Sequence, residues 1–208
     1  MMGVMRVPGP ALSLALAALL AAGAAEARPV TLDGITFSDE LGGFVIIEGT
    51  GSGTIADPFV IVEEITGLDA AVLVIRGVSA AFGNRAGTVH PTGFALRKVV
   101  INRTPLIWTF VDFELQQRLG VSSDYHDGLS FGQGAMTGRP FRSDHFDLTS
   151  VLDEPLDFVT FGDGVVRPGE SATFNVVITD TTPVPTFYLV QRPNRPIARL
   201  RGTTEAPR

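Results

Sequence analysis

Carboxylates are the most concentrated chemistry in this chain. Residues 143–166 hold Asp144, Asp147, Asp153, Glu154, Asp157 and Asp163 with no lysine or arginine among them, and Asp124 and Asp127 lie shortly before. A hard cation such as Ca2+ takes roughly six to eight oxygens, and loops between strands can supply them. No D-x-D-x-D-G run is present, so ligands would have to converge from separate segments. Asp144, Asp147 and Asp163 are the candidate metal ligands, and their convergence predicts a modest Ca2+-dependent rise in melting temperature. The alternative is an acidic rim dispersed in solvent.

A second set lies on one predicted strand. Asp112 and Glu114 are two residues apart and share a face, and Trp108 and Phe110 fall on that face too. Aromatic rings beside carboxylates on an open sheet can stack sugar rings. Trp108, Phe110, Asp112 and Glu114 are therefore the candidate ligand-binding residues. A carboxylate pair is also the equipment of glycoside hydrolysis. The plainer arrangement is a tryptophan packed under a loop with the acids facing water.

The remaining chemistry is sparse. His90, His126 and His145 form neither H-x-H nor H-E-x-x-H, which argues against a zinc centre. Gly128-Leu129-Ser130-Phe131-Gly132 imitates a nucleophile elbow, but an elbow needs a helix after it, and Gln133-Gly134-Ala135 begins none. Asn102-Arg103-Thr104 matches a glycosylation sequon at chance frequency.

The elements that must position these groups read as strands. No long stretch shows a 3.6-residue apolar period, and 23 Gly and 14 Pro punctuate the chain at short intervals. Strands are predicted over 31–37, with Asp33-Gly34 as a possible tight turn, and over 44–48, 59–65 and 71–76. Residues 78–92 read as a long connection. Further strands follow over 94–102, 107–116, 156–161, 171–179 and 186–191, with a single helical turn possible over 114–120. About nine or ten strands separated by turns imply an all-β, antiparallel β-sandwich, Ig-like or jelly-roll-like, with a closed barrel as the alternative.

Two stretches carry a resemblance. Asn102-x-Thr104-x-x-x-Trp108-x-x-x-x-Phe113-x-Leu115, followed by Asp127-Gly128-Leu129-Ser130-Phe131, is similar to secreted bacterial β-sandwich proteins, many of which bear a C-terminal PEP sorting signal. Phe158-x-x-Phe161-x-Asp163-Gly164-x-Val166-x-Pro168-Gly169-Glu170-x-x-x-Phe174 resembles the closing hairpin of the same group. The resemblance covers about residues 94–180 and implies the sandwich fold. The group is largely without assigned activity, so no site follows from it. The final residues, 199–208, are polar and show no sorting tail, so surface anchoring is not implied.

The N-terminus supplies an address. Arg6 is followed by an apolar run over 11–22 broken by one serine, and then by Ala25-Glu26-Ala27, an A-x-A cleavage site. The run is shorter than the roughly 20 residues of a membrane helix. Residues 1–27 thus read as a secretory signal, 28–191 as one β-sandwich domain, and 192–208 as a basic tail carrying Arg192, Arg195, Arg199, Arg201 and Arg208. The expected product is exported, periplasmic or extracellular, with no membrane span after signal removal. Mass spectrometry of exported protein should find Arg28 as the first residue. Recovery of the full-length chain from the soluble cytoplasm would overturn this address.

A net charge of −6 disfavours nucleic acid as the partner, since phosphate contacts need clustered cations. There is no cysteine, so any stabilisation beyond the core must come from something other than a disulfide. Lys98 is the single lysine beside many arginines, a pattern of GC-rich bacterial coding. Taken together these features favour a non-enzymatic protein with an interaction or structural role in the cell envelope or matrix, in contact with a polysaccharide or an envelope protein. A carbohydrate-binding domain using the Trp108 face comes second, and a hydrolase using loop carboxylates third.

Overall fold

Asp33-Gly34 reverses the chain within two residues. Both have positive φ, 48° and 89°, as a two-residue hairpin loop of the primed type requires. The computed structural model describes residues 27–124, 126–132, 141–152 and 157–195, and the turn joins β1 (Val30–Leu32) to β2 (Ile35–Ser38). The later elements are β3 (Phe44–Thr50), β4 (Phe59–Ile65), β5 (Ala71–Arg76), β6 (Thr92–Asn102), β7 (Val111–Gln116) and β8 (Leu129–Phe131). They are followed by β9 (Arg142–Ser143), β10 (Phe146–Leu152), β11 (Phe158–Gly164), β12 (Ser171–Asp180) and β13 (Thr186–Pro193). No helix occurs among the described residues.

The strands form two sheets. One runs β1-β2-β5-β13-β7-β11-β10; the other runs β3-β4-β6-β12-β8, with β9 also on β12. The fold is the expected all-β sandwich, with thirteen strands rather than nine or ten. The excess comes from the hairpin that splits 31–37 and from three strands in stretches that read as loops. β8 and β9 are only three and two residues long, and β10 lies within the acidic segment. Pieces as short as β8 and β9 carry too few alternations to show a period. The helical turn expected over 114–120 is absent; β7 runs to Gln116, and a bridge between Arg118 and Val121 turns the chain.

Pairing is antiparallel except between β4 and β6, which are parallel. The chain leaves β4, crosses to the other sheet as β5, and returns as β6. A parallel neighbour needs such a crossover.

The core lies between the sheets, where inward residues of both interdigitate. β6 turns Phe94, Leu96, Lys98, Val100 and Asn102 inward, and β12 turns in Ala172, Phe174, Val176 and Ile178. Edge-on and tilted phenylalanine rings fill two regions. Phe59 meets Phe37 and Phe94 at centroid distances of 5.4 and 5.7 Å, and Phe174 meets Phe113 and Phe161 at 5.1 and 4.9 Å. Among the fully buried polar side chains are Glu63 on β4, Lys98 on β6 and Gln191 on β13.

Candidate functional site

The predicted sugar platform is not an open face. Every residue of β7 is buried, including Asp112, Glu114 and Gln116 at 4 %, 1 % and 4 % exposure. Trp108 precedes β7 in an isolated bridge with Val166 and is 1 % exposed; Phe110 is half-buried. The alternation of the strand is real, but its polar face is covered by the loop that follows, which the β7 side chains themselves hold down.

Each polar group on that face has a local partner. Glu114 accepts hydrogen bonds from the Ser122 hydroxyl and the Arg192 guanidinium. Gln116 Oε1 accepts from the Gly120 N–H at 2.7 Å, and Thr160 on β11 donates to Asp112 Oδ1 at 2.6 Å. The loop closes on itself through Gln117 N–H to Ser123 Oγ at 3.0 Å. Arg192 comes from β13, directly across from Asp112 in register, so it is part of the sheet rather than the start of a basic tail. A buried carboxylate needs such partners because leaving one unpaired costs several kcal/mol.

The Asn102-x-Thr104-x-x-x-Trp108 motif is likewise structural. Asn102 Nδ2 donates to the Leu106 and Val166 carbonyls at 2.8 and 3.1 Å. Its Oδ1 accepts from the Thr104 N–H at 3.0 Å and from the Thr104 hydroxyl at 2.7 Å. Trp108 Nε1 then donates to Thr104 Oγ1 at 3.2 Å. An asparagine that bonds the backbone two residues on makes a tight turn without help from helix or ladder. The turn seats the indole under itself.

The acidic segment is separated by its elements. Asp144 Oδ1 accepts from the Thr173 N–H at 2.8 Å and bonds the His145 ring at 2.8 Å. Partial burial works to raise the Asp144 carboxyl, but the bonds from Thr173 and His145 outweigh it and hold it below its ordinary value. Asp147 lies on β10 and Asp163 on β11, both exposed, between the paired residues Phe146↔Gly164 and Leu148↔Gly162. The hairpin brings these two to one level, and Asp144 is held on the neighbouring sheet. Among the described residues no group of three or more His, Cys, Asp or Glu is placed to hold a metal ion. Asp153 and Glu154 lie outside the described residues.

The other candidates lie around β8 and its partner β12. Ser130 sits within β8, 4 % exposed, and not at a strand-to-helix corner. His126 is exposed in the preceding loop, and His90 Nδ1 bonds Thr179 Oγ1 at 2.9 Å.

What the strand pattern did not reveal is a cleft of about 250 Å³ at the end of the sandwich where β4, β6 and β13 finish. Leu68, Leu106, Trp108 and Pro193 line it, and the Asp69–Arg195 ion pair, at 2.6 Å, stands at its edge. Leu68 and Leu106 are 56 % and 47 % exposed, and Ile107 beside them is 50 % exposed. Asn194 fixes one wall: its Oδ1 accepts from the Thr109 N–H at 2.7 Å and its Nδ2 donates to the Ile107 carbonyl at 2.7 Å. The only signal in the sequence was apolar residues in segments that read as turns.

This constellation is an aliphatic cleft on the loop end of a β-sandwich in which Asp112, Glu114 and Asp144 bond within the scaffold. No protein-family model matches the chain, and no curated protein or solved structure matches it either.

Proposed function

We propose that this is an exported, non-enzymatic β-sandwich protein that acts by contact with an envelope or matrix protein through the loop-end cleft. The observation that carries this reading is the cleft, where Leu68 and Leu106 stay about half exposed on walls fixed by Asn194 and Asn102. Exposed apolar residues gathered on a rigid rim are what a protein contact needs. The lining is aliphatic, and the one tryptophan is sealed beneath it, which favours a protein segment over a sugar ring.

Two further features support the reading. Asp112, Glu114 and Asp144 all make local bonds within the scaffold, which weighs against a carboxylate hydrolase. The Arg28 N–H donates to Asp39 Oδ1 at 2.6 Å, and Asp39 also accepts from the Ile46 N–H at 2.9 Å. Cleavage after Ala27 would place the new terminal ammonium on that carboxylate, so the folded domain is suited to begin at Arg28.

The experiment is co-sedimentation of the purified protein with envelope fractions of its own cells. Binding should survive removal of glycan and disappear after protease treatment of the envelope. The double substitution Leu68→Asp/Leu106→Asp should weaken it about tenfold or more while leaving the melting temperature unchanged, because both side chains are on the surface. Binding that persists in the double variant would refute the cleft, and binding that persists only through glycan would replace the partner with a polysaccharide.

A further inference from the structure

We propose that Lys98 and Gln191 become joined in the folded protein by a side-chain amide bond, with Glu63 as the proton carrier. The three side chains meet in the middle of the sandwich, each at 0 % exposure. Lys98 Nζ is paired with Glu63 Oε2. The second Glu63 oxygen and both amide atoms of Gln191 complete no hydrogen bond. The Gln191 amide nevertheless lies close enough to Glu63 to favour its charged form. A carboxamide buried beside a carboxyl, with its own hydrogen bonds unmade, is costly as a passive core residue. It is also a substrate for aminolysis by the amine held on the carboxylate it approaches.

The environment prepares the amine. Burial lowers Lys98 and raises Glu63, each opposed by the attraction of its partner. Both directions favour passing the proton from ammonium to carboxylate, which leaves a neutral amine beside a carboxylic acid. Phe44, with its ring centre 5.7 Å from Lys98 Nζ, helps keep water away.

The neutral Nζ attacks Cδ of Gln191 to give a tetrahedral centre. Glu63 takes a proton from Nζ and supplies one to Nε2. The Nζ–Cδ bond forms, the Cδ–Nε2 bond breaks, and ammonia leaves. Glu63 ends as it began, a neutral carboxylic acid, and no oxidant or further reactant is needed. Because Lys98 is on β6 and Gln191 on β13, the bond would tie one sheet to the other in a chain that has no cysteine. It would take the buried amine out of its pairing with Glu63 and expel the unmet amide nitrogen of Gln191 as ammonia.

Mass spectrometry of the full chain, unfolded and digested with trypsin, decides it. Lys98 should resist cleavage, and the peptide beginning at Lys98 should appear attached to the peptide that contains Gln191, lighter than their sum by one ammonia. The intact protein should show the same deficit after folding. Glu63→Met should retain the ammonia and restore tryptic cleavage after Lys98. Cleavage after Lys98 in the wild type, with an unaltered intact mass, overturns the proposal, whether or not the variant folds. Loss of one water, with Lys98 attached to the peptide containing Glu63, overturns the choice of Gln191 as acceptor. Full ammonia loss in Glu63→Met overturns the role given to Glu63.

Discussion

Phe174→Ala should lower the unfolding free energy by about 3–5 kcal/mol, the transfer and cavity cost of a buried phenylalanine. Its ring is 0 % exposed and touches three others: Phe161, Phe113 and Phe146, at centroid distances of 4.9, 5.1 and 5.9 Å. Those rings come from β11, β7 and β10, all in the opposite sheet, so the truncation opens a void at the place where the sheets interlock. The walls are strands held in register on both sides and cannot collapse inward. Phe174→Leu should cost less, because most of the volume remains. Equilibrium denaturation followed by Trp108 emission reads both variants. A loss below about 1 kcal/mol for Phe174→Ala would place the side chain on the other face of β12, since a one-residue slip reverses every side chain of a strand.

Trp108→Ala should cost about 3–5 kcal/mol as well, for a different reason. The backbone bridge to Val166, with both N–H to carbonyl distances at 2.9 Å, does not depend on the indole. What is lost is the side chain that fills the space under the 102–106 turn and satisfies Thr104. The variant is followed by circular dichroism, as it removes the one tryptophan. In the wild type the same residue separates the two binding readings. A sealed indole should keep its emission unchanged when oligosaccharides are added and shift only on unfolding. A small stability cost together with a sugar-dependent emission change would reinstate the open aromatic platform.

These two residues also show how far the sequence reaches. The inward phase of β12 was readable because Ala172, Phe174, Val176 and Ile178 alternate with polar or smaller residues between two turns, and one buried face imposes that period. β6 was readable in the same way, down to the grouping of Leu96, Lys98 and Val100. The all-β class followed from such strands and from the spacing of Gly and Pro. The short strands β8 and β9 were not readable, because their pairing on β12 comes from a neighbour distant in sequence and not from their own composition.

The candidate site was less legible than the fold. A strand pattern says which side chains share a face; it does not say whether that face meets water. Asp112 and Glu114 share a face of β7, but Trp108 lies before the strand under the 102–106 turn, the loop after β7 folds back and Arg192 arrives from near the end of the chain, so the face is closed. Asp144, Asp147 and Asp163 are neighbours in sequence, yet β9, β10 and β11 divide them between two sheets. The cleft exists only because the ends of β4, β6 and β13 meet, and Leu68, Leu106 and Pro193 are far apart in the chain.

By itself, the sequence determined the local terms of this protein: its strand-forming segments, its turns, its lack of disulfides and the inward side of its longest strands. These depend on residues within a few positions of one another, where steric preference and alternation act. Tertiary structure alone decided which polar groups are sealed, which apolar ones stay exposed, and that Lys98, Glu63 and Gln191 meet in the interior. Those outcomes depend on which strands pack across the sandwich, and long-range packing sets burial, charge state and reactivity together.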